Sequence, residues 1–261
     1  GMPLKFHYMP WAHWMIKWMG GLQVAGALHR IGAIITFVYF GLHMVTLIRA
    51  FIRRRQEFRN PKTGHYSLRQ YLRIAFGPEM PLPNLDDVRD WWAHQMWFFG
   101  RGPRPQFDKW TYWEKFDYFA VFWGVVIIGF SGLILWFPIQ VTHLVPGWII
   151  NVAMIVHSDE ALLAAGFIFT FHFFNVHFRL EKFPMDPVIF SGRMTKAEMM
   201  HERKRWYERL VLTGQLDKIR LRDEWSQWKR VMHPVGFLAF GVGTILLFLI
   251  FYAMSSRLFG G

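Results

Sequence analysis

Four apolar runs, each long enough to cross a lipid bilayer, restrict this 261-residue chain more than any other feature of its sequence. Crossing the hydrocarbon takes about 20 apolar residues in helical form. Backbone groups in hydrocarbon must also satisfy one another, so each run is expected as a helix. The spans are expected at residues 24–52, 116–137, 148–178 and 235–254. The fold expected is all-α: a polytopic four-helix membrane bundle, one integral membrane domain over residues 1–261, with amphipathic surface helices in its loops.

Composition narrows the chemistry. Hydrophobic residues make up 53% of the chain, with 27 Phe and 14 Trp, and there is no cysteine. That absence excludes disulfides, thiolate metal sites, Fe–S clusters and covalently attached c-type haem, and leaves histidine as the strongest ligand for a metal or haem. The first 22 residues are rich in Trp and Met and lack a clean apolar stretch, so no cleavable signal is expected. They are read as a membrane-surface segment.

Basic residues orient the spans. Residues 53–115 hold twelve Lys and Arg and residues 179–230 hold thirteen, whereas the 138–150 connection holds none. By the positive-inside rule both large loops are expected in the cytoplasm, with both termini and the short connection outside. The bland account of so many basic residues is solvation and contact with anionic headgroups, and nucleic acid is not expected as a partner. Within the loops a short helix is expected at Leu68–Ala75. A second is expected after a cap at Asn84 or Asp86, ending at Gly100. A third, Thr195–Thr213, opens on the capping box Thr195-Lys196-Ala197-Glu198.

The histidines carry the functional signal. Within span one, Ala25 to Phe51 holds His29 and His43, fourteen positions apart. On an α-helix this is a rise of about 21 Å and a return to within about 40° of the same face. Span three holds His157 and His172, fifteen apart, a rise of about 22 Å and a turn of about 60°. One reversal separates these spans, so they run parallel, and His29 meets His157 in depth on the outer side while His43 meets His172 on the inner side. Two bis-histidine b-type haems stacked across the bilayer require such an arrangement, each iron taking one imidazole from each helix. A lone membrane histidine is more often a hydrogen bonder or proton carrier; two matched pairs at two depths make the stronger case. His177 competes for the inner position, but twenty residues from His157 put it about 200° round the helix, and it is read as a surface or quinone-side residue.

Other residues fit less specifically. Gly26, Gly32, Gly41 and Gly166 would admit a porphyrin edge. Arg30 would pair with a haem propionate or snorkel to the outer surface. Asp159 and Glu160 would orient His157, carry protons, or cap a wet helix end. A quinone needs a pocket and a proton-exchanging group; the candidates are His177, Glu181 and Asp186 inside, or Asp159 and Glu160 outside. Two other classes compete. A histidine-metal membrane enzyme of hydroxylase or desaturase type would cluster its histidines at one depth. A transporter or structural anchor would use them as proton relays.

The stretches HRIGAIITFVYFGLH in span one, FDKWTYWEKFDYFAVFWG entering span two and HSDEALLAAGFIFTFHFFNVHFRLEKFPMD through span three resemble the dihaem membrane cytochrome b subunits. These are of the formate dehydrogenase γ-subunit, Ni-Fe hydrogenase and bacterial cytochrome b561 type. The ligand pattern is also similar to that of cytochrome b/b6. In the formate dehydrogenase γ-subunit the ligands are spread over three helices and both termini are cytoplasmic; here two helices carry one pair each. The resemblance implies two haem b groups on His29, His157, His43 and His172, in a bacterial inner membrane. It further implies menaquinone or ubiquinone as mobile substrate, and electron transfer to or from a partner redox subunit. That partner would be a molybdopterin or Ni-Fe enzyme with its Fe–S subunit, or a multihaem c-type cytochrome. The Trp-rich helix at 86–99, whose Trp91, Trp92, Met96 and Trp97 suit either the membrane surface or a partner, and the N-terminal segment are the expected docking surfaces.

Overall fold

The computed structural model describes residues 1–179, 182–221 and 226–259. It is all-helical, with no strand among the described residues. Four helices are long and apolar enough to cross a membrane: Leu22–Arg53, Tyr112–Trp136, Trp148–Phe178 and Met232–Ser256, the last within a longer helix, Ser226–Phe259. The chain is a multi-pass membrane protein. Each span lies within about a turn of its expected place. Span two begins earlier than expected because Thr111 and Glu114 form a reciprocal cap. The Glu114 carboxylate accepts from the Thr111 backbone N–H at 2.9 Å, and the Thr111 hydroxyl accepts from the Glu114 N–H at 3.4 Å. Such a pair satisfies two orphan donors of the first turn.

The described chain divides into two compact units. One holds residues 1–49, 122–184 and 236–261, which is the bundle of spans. Spans one and two are antiparallel: Phe40 meets Phe122 with ring centroids 5.3 Å apart, and Phe37 sits against Gly129, where a methyl group would lie 2.8 Å from its ring. Spans three and four are antiparallel as well. Phe173 stacks on Phe240 at 6.0 Å and fills the space over Gly243, while Leu162 and Phe169 pack against the cluster that holds Ile250 and Ala253. Spans one and three therefore run parallel. The N-terminal segment, with its helix Pro10–Trp18, adds Phe6, Met9 and Ala12 to the cluster around Ile250 and Ala253.

The other unit holds residues 50–121 and 185–235, so both basic loops fold together. Leu68–Ala75 forms as expected. Asn84, rather than Asp86, caps Leu85–Phe98, taking N–H groups of Asp86 and Asp87 while Asp87 takes the N–H of Asn84. The helix expected over Thr195–Thr213 is two, Lys196–Glu202 and Lys204–Leu212. Its backbone leaves helical geometry at Arg203, φ −129°, where the guanidinium reaches the Glu114 carboxylate and the Lys109 carbonyl. Half-buried ion pairs join the two loops: Arg205 with Asp90, and Arg209 with both Glu79 and Asp108.

Candidate functional site

Span three presents His157 because Ala153 is buried on the same face one turn before it, against the bundle. Its imidazole is held by span two. Nδ1 lies 3.0 Å from the carbonyl oxygen of Ile128 and 3.3 Å from the hydroxyl of Ser131. A carbonyl only accepts, so Nδ1 carries a proton and donates it to Ile128, which leaves Nε2 as the nitrogen able to face a ligand. Gly132 makes room for this: a methyl group there would lie 3.0 Å from Cε1 of His157. The sequence motif Gly129-Phe130-Ser131-Gly132 is the signal that reading for ligands alone missed.

Span one supplies the second imidazole. His29 and His157 approach with ring centroids 5.9 Å apart and planes at 77°. Two imidazoles on opposite sides of one metal ion, each bound at about 2 Å with about 1 Å more to the ring centre, have centroids about 6 Å apart. Fixing one ring nitrogen by a carbonyl so that the other faces the metal is the usual support for a histidine ligand. The residues present therefore fit an axial pair.

The inner histidines lie deeper along the same spans. His43 is half-buried on span one and His172 is exposed on span three. Span three departs from α geometry here, with π turns over Ile168–His172 and Phe174–Phe178. A π turn takes one more residue than an α turn. With one residue absorbed, the fifteen steps from His157 to His172 turn the helix as fourteen do, leaving His172 about 40° short of the His157 face, as His43 is relative to His29. The mismatch between spacings of fourteen and fifteen closes.

His177 differs from its reading as a surface residue. It is buried, its Nδ1 2.7 Å from the carbonyl of Pro184, with Phe173 and Phe240 around the ring at 4.6 and 6.3 Å. The burial follows from span four packing on that face. Asp159 is exposed and pairs with Lys5 at 3.1 Å, and Lys5 also bonds Ser158, so the N-terminal segment is pinned beside His157. Glu160 is half-buried next to it. Asp186 caps the turn at Val188, accepting its N–H at 2.9 Å. Glu181 lies outside the described residues. Arg30 stacks over the Trp136 ring, 5.8 Å from its centroid. At Gly26, Gly32, Gly41 and Gly166 a methyl group would meet nothing within 4 Å, so packing within the protein does not demand glycine there.

Among the described residues, no group of three or more His, Asp or Glu side chains is arranged to hold a metal ion. No family model, curated protein or solved structure matches the chain.

Proposed function

We propose that this chain is a dihaem b-type cytochrome subunit that carries electrons across a bacterial inner membrane between the quinone pool and a partner redox subunit. The observation that carries the reading is the approach of His29 and His157 at 5.9 Å, with Nδ1 of His157 tied to the Ile128 carbonyl. His29 and His157 would hold the outer haem, and His43 and His172 the inner one. When bound, haem iron supplies one-electron transfer. The chain's own residues do three things. His157 presents Nε2 in a fixed tautomer, Ser131 and Gly132 hold its ring in place, and the apolar spans keep water and counterions from the site.

Orientation rests on two independent supports. Both loops are rich in Lys and Arg, which favours the cytoplasmic side and puts the termini in the periplasm. The two loops also share one compact unit, which agrees with their lying on one side together. Menaquinone or ubiquinone would exchange protons at the outer end through Asp159 or Glu160, or at the inner end through His177, Asp186 or Glu181. The surface helices of the loops would offer the partner its docking site. The spread of the spans' histidines over two depths weighs against a hydroxylase- or desaturase-type metal centre, which needs several histidines at one depth.

A pyridine haemochrome assay on the purified chain tests the reading, with two haem b per chain expected. His29→Ala and His157→Ala should each remove the same haem, and His43→Ala and His172→Ala the other. A chain without a reduced b-type band, or variants that lose haems in any other pairing, would overturn it.

A further inference from the structure

Helix Leu85–Phe98 in the loop unit is built inside out. At about 100° per residue, Leu85, Val88 and Trp92 share one arc about 60° wide. All three are exposed, at 89, 62 and 57%. Its inward arc is polar. Asp90 is buried against Arg205, Asp87 takes the Lys115 ammonium at 2.9 Å, and Nδ1 of His94 lies 3.0 Å from the Tyr112 hydroxyl. A helix bordering water has the opposite pattern, apolar within and polar without. An outward apolar face of this width calls for an apolar neighbour.

The attachment identifies that neighbour. Lys115 and Tyr112 belong to the first turns of span two, Tyr112–Trp136. The polar side of the helix is therefore fastened where an apolar span begins, at the level of the headgroups, where Trp and other amphipathic aromatic residues are favoured.

We propose that helix Leu85–Phe98 lies in the plane of the bilayer surface with its Leu85, Val88 and Trp92 face buried in lipid. The helix anchors the loop unit to the membrane independently of the spans. The inference does not depend on haem: a chain lacking it gives the same answer.

The absence of cysteine makes single labelling sites unambiguous. Nitroxides at Val88→Cys and Trp92→Cys, and at Arg89→Cys on the polar flank, are read in the full chain reconstituted in vesicles of phosphatidylcholine and phosphatidylglycerol. Oxygen concentrates in hydrocarbon and a nickel chelate stays in water. At Val88 and Trp92 the collision ratio should shift towards oxygen, and at Arg89 towards nickel. Nickel access at all three positions would leave the face in water and overturn the proposal. Protection of Val88 and Trp92 from both reagents would overturn it too, by assigning the face to a protein neighbour or a second copy. Val88→Cys is the milder replacement and decides the matter if Trp92→Cys unsettles the helix.

Discussion

The spans and the loop unit treat polar side chains in opposite ways. In the spans, hydroxyls turn back on their own helix: Thr36, Thr46, Thr170 and Thr244 each donate to the carbonyl four residues earlier, at 2.6 to 2.9 Å. In the loop unit, charged groups cross-link distant parts of the chain, as Arg203 does to Glu114 and Arg205 to Asp90. The difference follows from the solvent. Hydrocarbon offers no partner, so a polar group there stays local; contacts between spans are made by shape, with Phe37 over Gly129 and Phe173 over Gly243. His157 departs from this pattern: its ring nitrogen reaches a carbonyl and a hydroxyl of another span.

The largest expected effect is in the loop unit. Lys115 and Asp87 are nearly fully buried, with 5 and 13% of their side chains exposed. Lys115→Ala leaves the Asp87 carboxylate without its cation, which should cost about 3–5 kcal/mol. Asp87 also takes the Asn84 N–H at 2.6 Å, so the cap of Leu85–Phe98 is held by the same group. Denaturant titration followed by proteolysis of the loops would read the loss. The double variant Lys115→Met with Asp87→Leu should recover much of it, because a buried pair replaced by apolar groups is close to neutral. A single variant that costs no more than a surface pair, about 1 kcal/mol or less, would break the contrast between the two regions.

Next comes the His157 site in the spans. Gly132→Ala puts a methyl group against the His157 ring and should cost about 1–3 kcal/mol through overpacking. On the haem reading it should also weaken retention of the haem lost in His157→Ala. Gly32→Ala meets no protein atom within 4 Å, so it should leave unfolding unchanged. If Gly32 admits a porphyrin edge, that variant loses haem without losing stability. Equal effects of the two on both readouts would remove the distinction between packing glycines and cofactor glycines.

Much of this was legible in the sequence for a physical reason: the spans, Leu68–Ala75 and the Thr195 cap are set by local length, periodicity and capping chemistry. The parallel placement of His29 and His157 follows from counting reversals. Three features were not legible. The break at Arg203 is set by Glu114, some ninety residues away in sequence, against good local helix signals. The π turns that rephase His172 leave no mark in composition. The burial of His177 depends on which face span four covers, and α periodicity carried through Ile168 cannot supply it.

A smaller effect tests the spans' side of the comparison. Thr46→Val removes a hydroxyl that bonds only within its helix, and should change stability by less than about 1 kcal/mol. A loss as large as that of Lys115→Ala would mean that span hydroxyls do more than satisfy themselves.

The subtlest effect is a pair of opposed pH slopes within the loop unit. Burial pushes the Asp90 carboxyl up, and the Arg205 charge only partly offsets it, so its pKa stands above the ordinary aspartate value. Burial pushes Glu79 up as well, but the hydrogen bonds and charges of Arg209 and Lys109 outweigh it and hold that carboxyl below its ordinary value. For Glu79 the unfolded chain takes the proton more readily. Its contribution is therefore full above the unfolded carboxylate pKa and is lost as pH falls through the folded value. For Asp90 the folded chain takes the proton more readily, so its contribution declines as pH rises from the unfolded value through the raised one. In the native chain the two partly cancel. Melting temperature measured across the acid range should therefore rise less with pH in Glu79→Gln than in the native chain, because the Glu79 slope is gone. In Asp90→Asn it should rise more steeply with pH. Parallel curves for both variants would show that the two carboxylates do not differ in the way their surroundings require.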